Sequence, residues 1–456
     1  MPKVTFCSGV GTVTGANFLV ESESVKFLVD CGLLQGVPEA DIENKKLFPY
    51  NVSSVNYLFV THAHMDHIGR VPKLVRDGFR GTIYSTEETR ALAEIMFVDA
   101  VKVMGMNLKE EGKNSQDALY TLDDVTLTLS LWKTLPYHTT IKINDDFSVG
   151  LLDAGHILGS AMYEFLWNIP KMKIVFTGDS GNSPAPLLKN TDAISGADYL
   201  VVDSVYGDRN HEPKEERDAK FREIVTETIE KGGTLVIPAF SIERTQVILY
   251  ELNNLVEEGK IKSIPVFLDS PLAEKVTEIY KKFTKDFNNS VQQEIKSGDN
   301  IFNFPRLTIT HGARESQELV RIPSPKIIIS GSGMSTGGRV VWHEKHFLPD
   351  PNSTILLMGY QALGTLGRRI QDKPREVEIK GEMIPIRARI EMISSFSSHK
   401  DSDSLVDLVS GTAETLKKVF VVMGEAKSSM FLAQRLRDEL GVFAICPEKG
   451  QTYELF

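Results

Sequence analysis

Thr61-His62-Ala63-His64-Met65-Asp66-His67 is the stretch on which the reading of this chain turns. Three imidazoles and a carboxylate stand within residues 62–67, in a chain that has ten histidines in all. The run before them, Tyr57-Leu58-Phe59-Val60, is apolar and reads as a buried strand, so the cluster begins where a strand ends. His62 and His64 are two apart and can point to one side. Asp66 and His67 follow in a turn and can serve a neighbouring position. A solvated polar turn has no use for four ligand-type side chains in this order. Nitrogen and oxygen donors so grouped suit two adjacent metal ions of the zinc type.

Further candidates lie outward along the chain, each just past an expected strand. Asp30 follows the strand over 26–29. His156 stands in Asp153-Ala-Gly-His-Ile-Leu-Gly159, and Asp179 in Phe176-Thr-Gly-Asp-Ser-Gly-Asn182. Taken singly they carry little: a lone loop histidine is commonly satisfied by its neighbours, and an aspartate after Thr-Gly can be a helix cap. The flanking glycines change the weighing, because they let backbones approach closely.

The bulk composition is that of an ordinary globular chain, 41% hydrophobic and 25% charged. At 456 residues it is too long for one core, and two or three domains are expected. The net charge of −10 argues against a basic nucleic-acid coat, yet not against a nucleic-acid enzyme with its cations in one groove. Cys7, Cys31 and Cys446 are far apart and form no CxxC pair, which suggests a reducing compartment and no structural zinc. No signal-like N-terminus and no apolar run near ~20 residues is present, so a cytoplasmic protein without a membrane partner is expected.

Short strands dominate to about residue 205. Beyond it helices and strands alternate, with helices over 215–230, 242–257, 272–283 and 339–346 and strands over 234–237, 265–268, 307–310, 326–329 and 354–357. Such a rhythm predicts a parallel sheet with covering helices. Residues 284–300 read as a polar stretch, and strand-like segments return at 384–393 and 417–422, so boundaries are expected near 205 and 380. The run Ser330-Gly331-Ser332-Gly333-Met334-Ser-Thr-Gly-Gly-Arg339 follows a strand and can present backbone N–H groups to a phosphate. Arg368, Arg369, Arg387 and Arg389 are candidates for phosphate contacts, with surface salt bridges as the commoner fate of any one of them.

In order and spacing, Asp30, His62-Ala-His64-Met-Asp66-His67, His156 and Asp179 resemble the motifs of the metallo-β-lactamase superfamily. Asp203-Ser-Val-Tyr-Gly-Asp-Arg209 resembles the acidic motif of its β-CASP nucleases, and Phe396-Ser-Ser-His399-Lys-Asp401 their later histidine motif. Blocks at 233–240, 330–339 and 359–368 are similar as well. The likeness runs over residues 4–445, nearest to RNA-processing nucleases.

This resemblance implies an α/β fold: an αββα sandwich from residues 1–205 and 381–456, with a β-CASP domain on a mainly parallel sheet inserted at 206–380. It implies two Zn2+ ions, the first on His62, His64 and His156 with Asp179 bridging, the second on Asp66, His67 and Asp179. Asp30 would orient the ligand histidines. Asp203 and His399 would form an acid–imidazole pair at the leaving group. The expected activity is zinc-dependent hydrolysis of RNA phosphodiesters, with RNA as partner and a homodimer left open. One position departs from the pattern. Where RNA-cleaving members carry a metal-binding histidine, residues 421–425 read Val-Val-Met-Gly-Glu. Met423 is a poor zinc ligand, so the second zinc is expected to be weakened. The alternatives are a catalytically impaired RNA-binding protein and a DNA nuclease of the same family.

Overall fold

The strand Tyr199–Asp203 is buried along its whole length because both faces of its sheet are covered. Tyr199 and Val201 point into one apolar cluster, Leu200 and Val202 into another. That arrangement is general in the first of two compact units of this computed structural model. The unit comprises Met1–Asn210 with His399–Phe456, and the second is His211–Ser398. The structure describes residues 1–37, 39–110, 112–114 and 117–456.

The first unit holds two seven-stranded sheets. One runs in the order Thr452–Glu454, Lys3–Ser8, Asn17–Glu21, Lys26–Val29, Tyr57–Phe59, Thr82–Ser85, Trp132–Thr134. The other runs Ala444–Ile445, Lys418–Val422, Tyr199–Asp203, Lys171–Phe176, Ala161–Asn168, Phe147–Asp153, Thr140–Lys142. Between them lies an aromatic-rich core: Phe27 meets Phe165 at 4.5 Å between ring centroids and Phe59 at 5.3 Å. The outer face of the second sheet is covered by helices Ser402–Ser410 and Ala426–Leu440 through Leu405, Val409, Leu432 and Leu436. Helices Val71–Arg76, Glu87–Glu110 and Leu122–Ser130 belong to the first sheet's half. The layering is the αββα sandwich.

The second unit has six parallel strands in the order Leu307–Ile309, Val266–Asp269, Lys326–Ser330, Thr234–Pro238, Thr354–Met358, Arg389–Ile393. Helices Val340–Phe347 and Leu366–Gln371 bury Val340, Phe347, Leu366 and Ile370 against Val236, Ile328 and Ile355. Its four central strands, buried along their whole length, again reflect a sheet covered on both faces.

Two segments differ from the sequence reading. Residues 381–398, assigned there to the C-terminal segment, lie in the second unit: Glu382–Pro385 closes a hairpin with Glu376–Ile379, and Arg389–Ile393 adds a parallel edge strand beside Thr354–Met358. The polar stretch 284–300 contains the helix Asn289–Lys296, capped by the Asn288 side chain. No helix among the described residues is long and apolar enough to cross a membrane.

Candidate metal centre

The sequence-predicted ligands come together in the first unit, each delivered by the end of a strand. Asp30 follows Lys26–Val29, His62 and His64 follow Tyr57–Phe59, and Asp66 and His67 occupy the short helix Met65–Ile68. His156 follows Phe147–Asp153, Asp179 follows Lys171–Phe176, and Asp203 ends Tyr199–Asp203. His399 joins them by a bridge to Gly181. Two glycines permit this crowding. A Cβ on Gly32 would lie 1.5 Å from the Asp66 carbonyl oxygen, and one on Gly181 2.0 Å from that of Gly155. No side chain fits at either point.

His62 Nε2 lies 3.1 Å from His64 Nδ1, and His156 Nε2 lies 3.3 Å from the same atom. Asp179 Oδ2 is 3.5 Å from both His62 Nε2 and His156 Nε2. A tetrahedron with zinc–ligand bonds of ~2.0–2.1 Å has edges of about 3.3–3.4 Å, and these four separations of 3.1–3.5 Å lie close to that length, so the group could hold a metal ion of that size. Beside them Asp179 Oδ1 lies 3.3 Å from His67 Nε2, which is 3.8 Å from Asp66 Oδ2. His67 Nε2 and Asp179 Oδ1 are buried and make no hydrogen bond among the described residues. Three imidazole nitrogens and a carboxylate oxygen, with a second group sharing that carboxylate, fit a pair of cations.

Asp30 holds the assembly from behind. Its Oδ2 accepts from His67 Nδ1 at 2.8 Å and from Thr61 Oγ1 at 2.8 Å, and its Oδ1 accepts from the Thr61 amide at 2.8 Å. His67 is thereby oriented with Nε2 toward Asp179. Thr61, which the sequence reading did not single out, also reaches His62 Nδ1 at 3.1 Å.

The electrostatics separate the groups. Burial, with His67 and His64 beside it, holds His62 well below the usual imidazole range, in the neutral form a ligand needs. Burial opposes protonation of His67, yet Asp179, Asp30 and Asp66 prevail and raise it. Asp179 is the converse: burial would raise it, but His67, His399 and His62 hold it well down. Burial pushes Asp66 up to about 6 against the pull of His67. Desolvation disfavours the His399 cation, but Asp203 and Asp179 outweigh it and raise the imidazole. His399 Nδ1 stands 3.8 Å from Asp179 Oδ2 and 3.9 Å from Asp203 Oδ2. Asp203 Oδ1 accepts from the Ser180 amide at 3.1 Å.

Met423 is buried at the end of Lys418–Val422, where Gly9 takes its amide at 2.8 Å. It belongs to the apolar core between the sheets, and its sulfur packs on Gly9. Its φ of 48° is one that L residues seldom adopt.

In the second unit Ser330, Gly331, Ser332, Gly333 and Met334 leave the strand Lys326–Ser330 and turn back into Val340–Phe347. The Val340 amide donates to Gly331 O at 3.1 Å, and Gln361 Nε2 donates to Gly333 O at 3.1 Å. Among the described residues, the amides of Gly331, Ser332, Gly333 and Met334 donate to no protein acceptor. Two buried acids anchor the loop, and neither was foreseen. Arg339 Nη1 donates to Asp269 Oδ1 at 2.7 Å, and Ser335 Oγ donates to Glu344 Oε1 at 2.5 Å. Arg368 donates to Gln361 O at 3.4 Å and lies 3.6 Å from Asp372. Arg389 is paired with Glu227 and Glu391, while Arg369 and Arg387 are exposed.

Comparisons with known proteins agree with this architecture. Residues 19–198 match the metallo-beta-lactamase superfamily domain, 245–370 the Beta-Casp domain, and 383–447 the Zn-dependent metallo-hydrolase RNA specificity domain. The chain is 34% identical to ribonuclease TTHA0252 of Thermus thermophilus, over 93% of each protein. It is 30% identical to transcription termination factor FttA of Methanosarcina mazei, over 96% of this chain and 69% of that one. It is 30% identical to an RNase J-like protein of Methanocaldococcus jannaschii, over 94% of each. A crystal structure of a protein of unknown function from Enterococcus faecalis V583 shares the fold over 100% of both chains, with a TM-score of 0.57 at 13% identity. The strand-end ligand set, the sandwich that carries it and the inserted parallel-sheet unit thus have one explanation: the chain belongs to the β-CASP family of the metallo-β-lactamase superfamily.

Proposed function

We propose that the protein is a cytoplasmic, zinc-dependent ribonuclease that hydrolyses RNA phosphodiester bonds. The observation that carries this is the close set of His62 Nε2, His64 Nδ1, His156 Nε2 and Asp179 Oδ2, with Asp66 and His67 grouped on the other oxygen of the same carboxylate. The two zinc ions would take these positions, the first on His62, His64, His156 and Asp179, the second on Asp66, His67 and Asp179. Zinc bound there supplies Lewis acidity toward a phosphoryl oxygen and lowers the pKa of water into the neutral range.

The protein's own groups do the rest. Asp30 and Thr61 fix the His67 ring and its tautomer. His399, whose imidazole Asp203 and Asp179 raise against the opposing effect of burial, delivers a proton to the leaving oxygen. The amides of Gly331–Met334, with Arg368, take the phosphates of the bound strand. The names of the ribonuclease and the RNase J-like relative support RNA as the substrate.

The test incubates purified protein with labelled RNA and labelled DNA, with and without chelator, alongside elemental analysis. Cleavage of RNA that chelator abolishes and zinc restores is the expected result. Cleavage of DNA alone, or less than one zinc per chain after loading, overturns the proposal. Met423 favours one second reading, an RNA-binding protein with impaired catalysis. It is recognised by RNA binding without cleavage at saturating zinc.

A further inference from the structure

Phe240 stands just past the strand Thr234–Pro238 with 38% of its surface exposed. It is held firmly there. Its carbonyl accepts from the Thr245 amide at 3.2 Å and from Thr245 Oγ1 at 2.8 Å. The preceding Ala239 amide donates to Ser330 O at 2.9 Å. The ring packs on the backbone of Gly333: a Cβ at that position would lie 2.6 Å from Cδ2 and 2.8 Å from Cγ and Cε2. Only glycine at 333 lets the ring lie there. An exposed aromatic ring is therefore fixed beside the amides of Gly331–Met334.

A nucleotide carries both complements to this pair of features, an anionic phosphate for backbone amides and a flat π-face for an aromatic ring. We infer that Phe240 is a stacking platform for one base of the single-stranded RNA whose phosphate lies on the Ser330–Met334 loop; this rests on the ribonuclease reading above. The partner is single-stranded, because a paired base already has both faces stacked. Recognition is tolerant of sequence, since every base has a π-face, with purines held more firmly for their larger area.

Binding of a 2′-O-methyl oligoadenylate, which resists hydrolysis, tests the inference in the zinc-loaded full chain. Phe240→Ala is expected to bind about 5- to 150-fold more weakly than wild type, the usual worth of one stacked base. KM should rise with kcat little changed. The exposed Leu47 of the first unit serves as control, Leu47→Ala binding as wild type does. Phe240→Trp is expected to retain affinity, and the emission of its new indole to be quenched by the oligonucleotide. One abasic position in the oligonucleotide should weaken wild type and leave Phe240→Ala unmoved. If Phe240→Ala proves unfolded, the quenching and the abasic oligonucleotide on wild type decide alone. RNA binding by wild type with no loss in Phe240→Ala and no quenching in Phe240→Trp overturns the platform and leaves the ribonuclease reading standing. Absence of RNA binding by wild type overturns both.

Discussion

Asp179 follows a strand in the first unit and Asp269 ends one in the second; both are buried, at 3% and 1% exposure. Asp269 is saturated by protein donors. Its Oδ1 accepts from Thr310 Oγ1 and from Arg339 Nη1, its Oδ2 from Ser316 Oγ at 2.6 Å and from His343 Nε2 at 2.7 Å. Burial would raise its pKa, yet these hydrogen bonds, His343 first, bring it to about 2. Asp179 has imidazole nitrogens around it, and its Oδ1 faces His67 Nε2 without hydrogen-bonding geometry. A carboxylate given four donors is complete and serves the fold. One set among imidazole nitrogens, with an oxygen that no protein donor satisfies, is one that a cation could complete, so its surroundings are arranged for chemistry.

Exchanging the test between the two aspartates should give opposite results. Asp179→Ala is expected to abolish RNA cleavage and to empty the second metal position, while His62, His64 and His156 keep the first with weaker affinity. Asp269→Ala should remove the carboxylate that Arg339 and His343 share and cost ~3–5 kcal/mol of stability, with zinc content unchanged. Denaturant unfolding and elemental analysis of both variants read this out; metal loss in Asp269→Ala would break the comparison. His399 sharpens it next. His399→Ala is expected to lower turnover by roughly 10²–10⁴-fold while zinc content stays constant. Loss of zinc from that variant would make His399 a ligand and not an acid.

Met423 probes how complete the second metal position is. Histidine tolerates positive φ better than most residues, so Met423→His suits the backbone there. The added imidazole should raise cleavage at limiting zinc by on the order of 10-fold. The advantage should fade at saturating zinc, where mass action fills a three-ligand site. Superimposable zinc titrations of the two forms would show that position 423 does not reach the metal.

Glu344 gives the smallest effect. Burial raises its carboxyl to about 8, against the hydrogen bond from Ser335. A raised pKa means that the neutral acid is the form the fold favours. Its contribution is fully present below the ordinary carboxyl value of 4.5 and is lost as pH rises through about 8. Glu344→Gln should flatten the fall of the thermal midpoint on the alkaline side; an unchanged pH profile would assign that fall to another group.

Much of the metal centre was legible because its first four ligands are neighbours in sequence. His62, His64, Asp66 and His67 need only one strand end and one turn to converge, and local chain geometry supplies both. Asp269 sits in Leu268-Asp-Ser-Pro271, a strand-end aspartate like Asp30 and Asp179, and could have been marked on that ground. Its donors could not, since Thr310, Ser316 and the pair Arg339 and His343 come from three separate segments. The edge strand Arg389–Ile393 was visible as a strand, but its membership of the second unit depends on parallel pairing with Thr354–Met358, a non-local choice.

The sequence by itself determined the candidate ligands and the parallel-sheet rhythm, and its motifs carried the resemblance to the family and its αββα sandwich, because periodicity and short motifs are written in consecutive residues. Tertiary structure alone decided that the four donor atoms stand within 4.8 Å of one another and that Met423 is core. It alone also closed Asp269 with protein donors and left Phe240 exposed against Gly333. Distances, burial and the saturation of a buried carboxylate are properties of segments brought together from far apart, and no local pattern encodes which partners the fold will deliver.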